Sequence, residues 1–211
     1  TMTEYVRSEL NHGVFVITID RPKANALNLK MVRSLREAFK SASQQPEARA
    51  VLLRAAGSTF SGGQDVFEIL QAEGQSYRKH LLETYNPLVM QIRQLSLPVV
   101  AEIRGTVAGA ALGLVLACDL RIASDDARIV VGFLGIGLAP DSAVSLLLPA
   151  LIGLGRATEA AFSNEPIPAR QALSWGLVNR LTPPEMLSTA AFDAARRLAN
   201  GPVHAMGLAK R

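Results

Sequence analysis

The stretch from Val99 to Cys118 constrains the fold most. It begins with VVAEI, an apolar run of strand length, and ends with AALGLVLAC, which is apolar on every side. Between them stands RGTVAG, whose glycines mark a turn. A helix with no polar face has to be surrounded by protein. A mostly apolar strand is most stable when covered on both faces, as strands of parallel sheets are. The stretch therefore predicts a strand, a tight loop and a buried helix inside a layered α/β core. The apolar run Val107–Cys118 is too short to cross a bilayer and is interrupted by Gly109 and Gly113.

The same alternation holds elsewhere. VFVITI (Val14–Ile19), Ala50–Leu53 and Leu120–Ala123 read as further strands. Met31, Val32, Leu35, Ala38, Phe39 and Ala42 recur at helical spacing, which predicts an amphipathic helix over Leu29–Gln44 capped by Asn28. Tyr77–Leu95 reads as a long helix that Pro87 kinks or divides. Helices are expected at Ser142–Ile152, Arg156–Phe162, Ala169–Trp175, Glu185–Leu198 and Val203–Lys210. The final LAKR carries no stop signal, so more helices are expected to follow.

Composition narrows the function classes. With 211 residues, 49% of them hydrophobic, the chain can bury one substantial core, and disorder is excluded. The net charge of +4 is spread out with no run of like charges, which argues against a nucleic-acid arm. Cys118 is the only cysteine, so no disulfide can form within the chain. Thr1–Leu10 lacks the apolar core of a secretory signal. A cytoplasmic protein with no membrane segment is expected.

Two loops can present backbone amides. Phe60-Ser61-Gly62-Gly63-Gln64-Asp65 places the Gln64 amide directly after a glycine turn that lets the backbone approach a ligand. Arg104–Gly109 precedes the buried helix, so the amides of Ala110 and Ala111 fall in its first turn, where N–H groups lack partners. Two such loops after two parallel strands can aim two N–H groups at one point, as an oxyanion hole requires.

FSGGQD, followed by LPVVAEIRGTVAGAALGLVLACD, resembles the paired signature of the crotonase (enoyl-CoA hydratase/isomerase) family. KANALN near the start, GLAPDSAVSLLLPALIG and IPARQALSWGLVNRLTP are similar to other segments of that family and stand in its order. The resemblance covers about residues 10 to 210. It implies the crotonase-like ββα spiral (the ClpP/crotonase fold) in one domain, with about 1–190 as spiral core and about 191–211 as the start of a C-terminal helical region. It implies a trimer or a dimer of trimers. It also implies that the amides of Gln64 and Ala110 hold a thioester carbonyl. A coenzyme A cleft would be built from Lys23, Ala24, Asn25, Ala26 and Leu27 with Gly62, Gly63, Asp65 and Val66, next to Gly109. Coenzyme A would be part of the substrate, and no separate cofactor or metal is expected.

The resemblance also bears on the reaction. Hydratases of the family use two glutamates; Gly113 and Phe133 stand at those positions here, so efficient hydration is not expected. Asp141, in Gly137-Leu138-Ala139-Pro140-Asp141, matches the aspartate of the family's double-bond and ring-opening isomerases, of which the PaaG-type branch is most similar. One carboxylate can take a proton from one carbon of a dienolate and return it to another. Read without the family, Asp141 would cap the helix that follows. Dehalogenation of an aryl-CoA through Asp141 would need an aromatic-walled pocket, for which this chain has few aromatics. Another crotonase reaction, hydration included, and a non-catalytic acyl-CoA-binding role stay as alternatives. His12, His80 and His204 have no partner at metal-ligand spacing and Cys118 reads as core. Asp65 reads as tying its loop down.

Overall fold

The computed structural model describes residues 5–71 and 76–210. The chain opens with β1 (Val6–Asn11) and β2 (Val14–Ile19), a hairpin turned by His12 and Gly13, both at positive φ as a two-residue turn of this kind demands. Helix α1 (Leu29–Gln44) follows, and the Asn28 side chain accepts from the Met31 amide at 2.9 Å, as the sequence predicts. Strand β3 (Ala50–Ala55), helices α2 (Val66–Gln71), α3 (Tyr77–Glu83) and α4 (Tyr85–Gln94), and strand β4 (Val99–Ile103) come next. Then follow β5 (Thr106–Ala108), α5 (Ala110–Ala117), β6 (Leu120–Ser124) and β7 (Arg128–Val130). A 3-10 turn at Leu134–Ile136 leads to α6 (Val144–Ile152), α7 (Leu154–Ser163), β8 (Ile167–Pro168), α8 (Ala169–Ser174), β9 (Arg180–Thr182), α9 (Leu187–Ala199) and α10 (Val203–Ala209).

The main sheet has the order β1-β2-β3-β4-β6-β9. Only β1 is antiparallel, and it lies at the edge with one side exposed. All six residues of β2 are buried, as are the five of β4, because both faces of the parallel region are covered. On one face α9 lays Leu187, Ala191, Ala194 and Ala195 against Val16, Leu52, Val100 and Ile122. On the other stand α1, α4 and α5, the last with all eight residues buried. A second sheet, β5-β7-β8, pairs Val107 with Ile129 and Ile129 with Ile167.

Three expectations are corrected. The Tyr77–Leu95 helix divides at Thr84 (φ −118°, ψ −84°) rather than at Pro87. Pro87 sits in the first turn of α4, where its missing N–H costs nothing. The predicted turn Arg104–Gly109 contains β5, which pairs with a strand too short to carry a periodic signal. The helix expected from Ser142 starts at Val144, because Ser142 and Ala143 are left-handed (φ 48° and 67°). Among the described residues no helix is long and apolar enough to cross a membrane.

Candidate active site

The two amide loops leave the same edge of the main sheet, because β3 and β4 are adjacent and parallel and each loop follows the C-terminal end of its strand. In open α/β sheets ligands bind at that edge. The loops are laced together by backbone alone. Phe60 N donates to Arg104 O at 2.8 Å, Ser61 N to Thr106 O at 3.2 Å and Ala108 N to Ser61 O at 3.0 Å. Their tips nearly touch: a Cβ on Gly63 (φ 91°) would lie 2.8 Å from the Ala108 carbonyl oxygen. Only glycine fits there.

The segment after β2 completes this half. Leu27 N donates to Gly63 O at 2.7 Å and Asp65 N to Leu27 O at 2.9 Å, which makes Leu27 and Gln64 partners in a parallel bridge. In such a bridge the bonds of Leu27 go to the residues flanking Gln64, so the N–H of Gln64 points to the opposite side. Among the described residues, none of the backbone bonds that join these loops uses the amide of Gln64 or of Ala110. Ala110 opens α5 behind Gly109 (φ 54°, ψ −130°), a cap with no side-chain acceptor. At Ala110 the end of the helix favours negative charge.

The segment predicted to line a coenzyme A cleft is held in an unusual shape. Lys23, Ala24 and Asn25 are left-handed in succession (φ 62°, 60° and 50°). The buried Asn25 side chain holds the turn, donating to Ala56 O and Thr59 O and accepting from Arg21 N. Lys23 and Ala24 are exposed, and Ala24 O accepts from Gly62 N at 2.8 Å. The Arg21 guanidinium spans Ala26 O and the Asp65 carboxylate, both at 2.7 Å. Asp65 ties its loop down as expected. Val66 is 40% exposed at the start of α2.

Asp141 stands on the other side. Ser142 Oγ donates to its Oδ1 and Tyr77 Oη to its Oδ2, both at 2.6 Å. Its side chain makes no cap bond to α6; the Asp141 backbone carbonyl accepts from Val144 N instead. The capping role is therefore overturned, and the two carboxylate oxygens face hydroxyls instead. Burial, then the hydrogen bond and charge of Asp141, push the Tyr77 phenol well above its ordinary range, so it donates throughout the neutral range. Burial and the charges of neighbouring acids do the same to Tyr85.

The position that matches a hydratase glutamate is filled. A Cβ on Gly113 would lie 2.0 Å from the Ser142 carbonyl oxygen, so the Asp141–Ala143 turn packs directly on α5 one helical turn below Ala110. The left-handed pair Ser142 and Ala143 makes that approach possible, and such strain is typical of functional sites. Phe133, at the second such position, is buried at 4% exposure, and its carbonyl accepts from Leu138 N.

Sequence reasoning missed Tyr77, His80 and Ser142. His80 was set aside for lack of metal partners, yet its Nε2 lies 2.6 Å from the Gln64 side-chain amide. Its ring stacks on Tyr77 (6.2 Å, 22°) and meets the edge of Tyr85 (5.9 Å, 67°). Tyr77, His80 and Tyr85 thus form a small ring cluster that meets Asp141 through the Tyr77 hydroxyl. The available signal was the Tyr77–His80 spacing of three, which puts both rings on one helix face. No sequence rule points that face at Asp141.

Known proteins share this sequence pattern and fold. The family model "Enoyl-CoA hydratase/isomerase" matches residues 9–211. The 1,2-epoxyphenylacetyl-CoA isomerase of Escherichia coli is 33% identical over 214 residues, covering 100% of this chain and 82% of that protein. The 4-chlorobenzoyl coenzyme A dehalogenase-2 of an Arthrobacter species is 30% identical, covering 98% and 76%. The crystal structure of an enoyl-CoA hydratase from Mycobacterium avium subsp. paratuberculosis superposes with a TM-score of 0.90 at 33% identity, covering 100% of this chain and 84% of that one. These relatives carry three different reaction names on one scaffold, so the reaction has to be argued from the site. The chain belongs to the enoyl-CoA hydratase/isomerase (crotonase) family.

Proposed function

We propose that the protein is an acyl-CoA isomerase in which Asp141 moves a proton along an enolate held by the amides of Gln64 and Ala110. The observation that carries this reading is the packing of Ser142 on Gly113. It fills the space a hydratase carboxylate would need, while Asp141 is held by two hydroxyls beside it. Both hydroxyls donate, so Asp141 accepts in both bonds.

The chemistry follows in two steps. Asp141 takes a proton from the carbon next to the thioester, and the electron pair moves onto the carbonyl oxygen between the two amides. The same carboxylate returns the proton two carbons along, and the double bond shifts by one position. Two donors aimed at the developing oxyanion contribute several kcal/mol, of order 3 kcal/mol each. Lys23, Ala24, Ala26 and Leu27 with Gly62, Gly63, Asp65, Val66 and Gly109 would carry the coenzyme A portion, and Phe133 the acyl side. The proton transfer needs no separate cofactor. Self-association as a trimer or hexamer fits the exposed Leu146, Leu154 and Phe162 of α6 and α7, each at least 70% exposed. A cytoplasmic setting fits the lone cysteine.

The test is incubation with a 3-enoyl-CoA in heavy water, followed by mass spectrometry. Double-bond movement with deuterium uptake supports the reading. Asp141→Asn is expected to lower both by about 10²–10⁴-fold with an unchanged melting curve. Retained turnover in that variant, or addition of water to a 2-enoyl-CoA, would sink it. The ring cluster at Asp141 favours one second reading, attack of the carboxylate on an aryl-CoA. Halide release from a halobenzoyl-CoA would select it.

A further inference from the structure

We infer that α3 carries two positioning residues, Tyr77 fixing the Asp141 carboxylate and His80 fixing the oxyanion loop through the Gln64 side chain. The inference rests on the roles just proposed for Asp141 and Gln64. It goes beyond them in saying what holds the two halves in register.

Three observations carry it. First, α3 buries none of its own residues fully and rests on the core through the partly buried Leu81, so its packing is light. Second, Tyr77 and His80 lie one turn apart on one face with their rings stacked, so a shift of one moves the other. Third, each bonds to a different half of the site. Tyr77 Oη reaches Asp141 Oδ2, 64 residues away, at 2.6 Å. His80 Nε2 reaches the Gln64 amide at 2.6 Å. A second strut runs through Tyr85, whose hydroxyl donates at 3.3 Å to Leu27 O, in the segment bridged to Gln64. The proton acceptor and the oxyanion donor are thus spaced by one short helix that touches both.

Neither residue need touch the reacting carbons, so their loss should reduce turnover more than binding. Tyr77→Phe keeps the ring and deletes one hydrogen bond to a charged group. It is expected to lower kcat by about ten- to a hundredfold with KM within about twofold. Affinity for a saturated acyl-CoA, which binds but cannot isomerise, should not change. His80→Ala should lower kcat similarly, and His80→Gln, which can still bond to Gln64, should recover most of it. The effect of Tyr77→Phe should vanish when Asp141 is already Asn, because the two act as a unit.

Deuterium uptake from heavy water is measured for the wild type, the single variants and the Tyr77→Phe/Asp141→Asn double variant. Wild-type uptake in Tyr77→Phe and His80→Ala overturns the positioning roles and leaves the isomerase reading standing. Equal losses in kcat/KM and in saturated-ligand affinity also overturn them, because the residues would then only hold the fold. Unchanged uptake in Asp141→Asn removes the isomerase reading and the positioning roles together.

Discussion

The two halves of the site are built from different materials. The half proposed to hold the oxyanion is joined chiefly by backbone: Ser61 and Ala108, Leu27 and Gly63, Gly62 and Ala24 are linked by amide–carbonyl bonds of 2.7–3.0 Å. The acid half is side chain on side chain, with Asp141 held by Tyr77 and Ser142. Backbone bonds fix position but tolerate no Cβ at the crossing. Side-chain bonds can be exchanged one group at a time, so a family can change its reaction while its carbonyl grip stays. The three reaction names among the relatives fit that division.

The sharpest way to break the comparison is to put a methyl group at the crossing. In Gly63→Ala the new Cβ lies 2.8 Å from the Ala108 carbonyl at a φ of 91°, a conformation that alanine resists. The loops must separate, and the amide of Gln64 moves with them. Turnover should fall by up to about 10³-fold, with a stability loss of about 1–3 kcal/mol. Kinetics and thermal melts check both. Near wild-type turnover would mean that the backbone half adapts as readily as the other.

Gly113→Glu is the next test. It restores the hydratase residue type at its matching position but brings a Cβ 2.0 Å from the Ser142 carbonyl. The Asp141–Ala143 turn has to move off α5. Isomerisation should fall by about 10²-fold, the effect of a misplacement of about 1 Å, and no water should add to a 2-enoyl-CoA. Gain of hydration would show that the acid half is interchangeable at a single position.

The two halves also differ in how far the sequence reveals them. The oxyanion half is written locally. Gly62-Gly63 precedes Gln64, Gly109 precedes an all-apolar helix, and both loops follow strands whose composition marks them as buried. Helix α1, with its Asn28 cap, is legible for the same reason, since period and capping residue lie within one segment. The acid half depends on contacts distant in sequence. Tyr77 meets Asp141 across 64 residues, and α3 has no buried stripe to announce its orientation. Ser142 looks like a helix start because Val144–Leu148 is apolar but for Ser145. Its left-handed φ follows from the approach to Gly113, which no local pattern encodes. Strands β5, β7, β8 and β9 have at most three residues each, too few for any alternation to register.

The smallest effect concerns the far end of the backbone half, at Cys118. The thiol is 1% exposed, donates to Leu114 O at 3.3 Å, and burial pushes its pKa up to about 12. A free thiol is partly ionised at pH 8, whereas one with such a pKa is ionised to roughly one part in 10⁴. Alkylation of native protein at pH 8 should therefore proceed only through opening of α5. The folded-state pKa is raised, so the stability contributed by the neutral buried thiol is fully present below about pH 8.5 and is lost as pH rises towards 12. Cys118→Ala should flatten the part of that decline that lies below pH 10, where Tyr77 and Tyr85 have not begun to contribute. The comparison is sharpened by measuring amide hydrogen exchange in the same samples. If α5 opens only with the whole molecule, its exchange and the alkylation of Cys118 share one free energy. Helix α3, which buries none of its residues fully, should open at a lower one. Equal opening energies for α3 and α5 would mean that the side-chain half is as rigid as the backbone half, and that the choice of building material does not set the dynamics of this site.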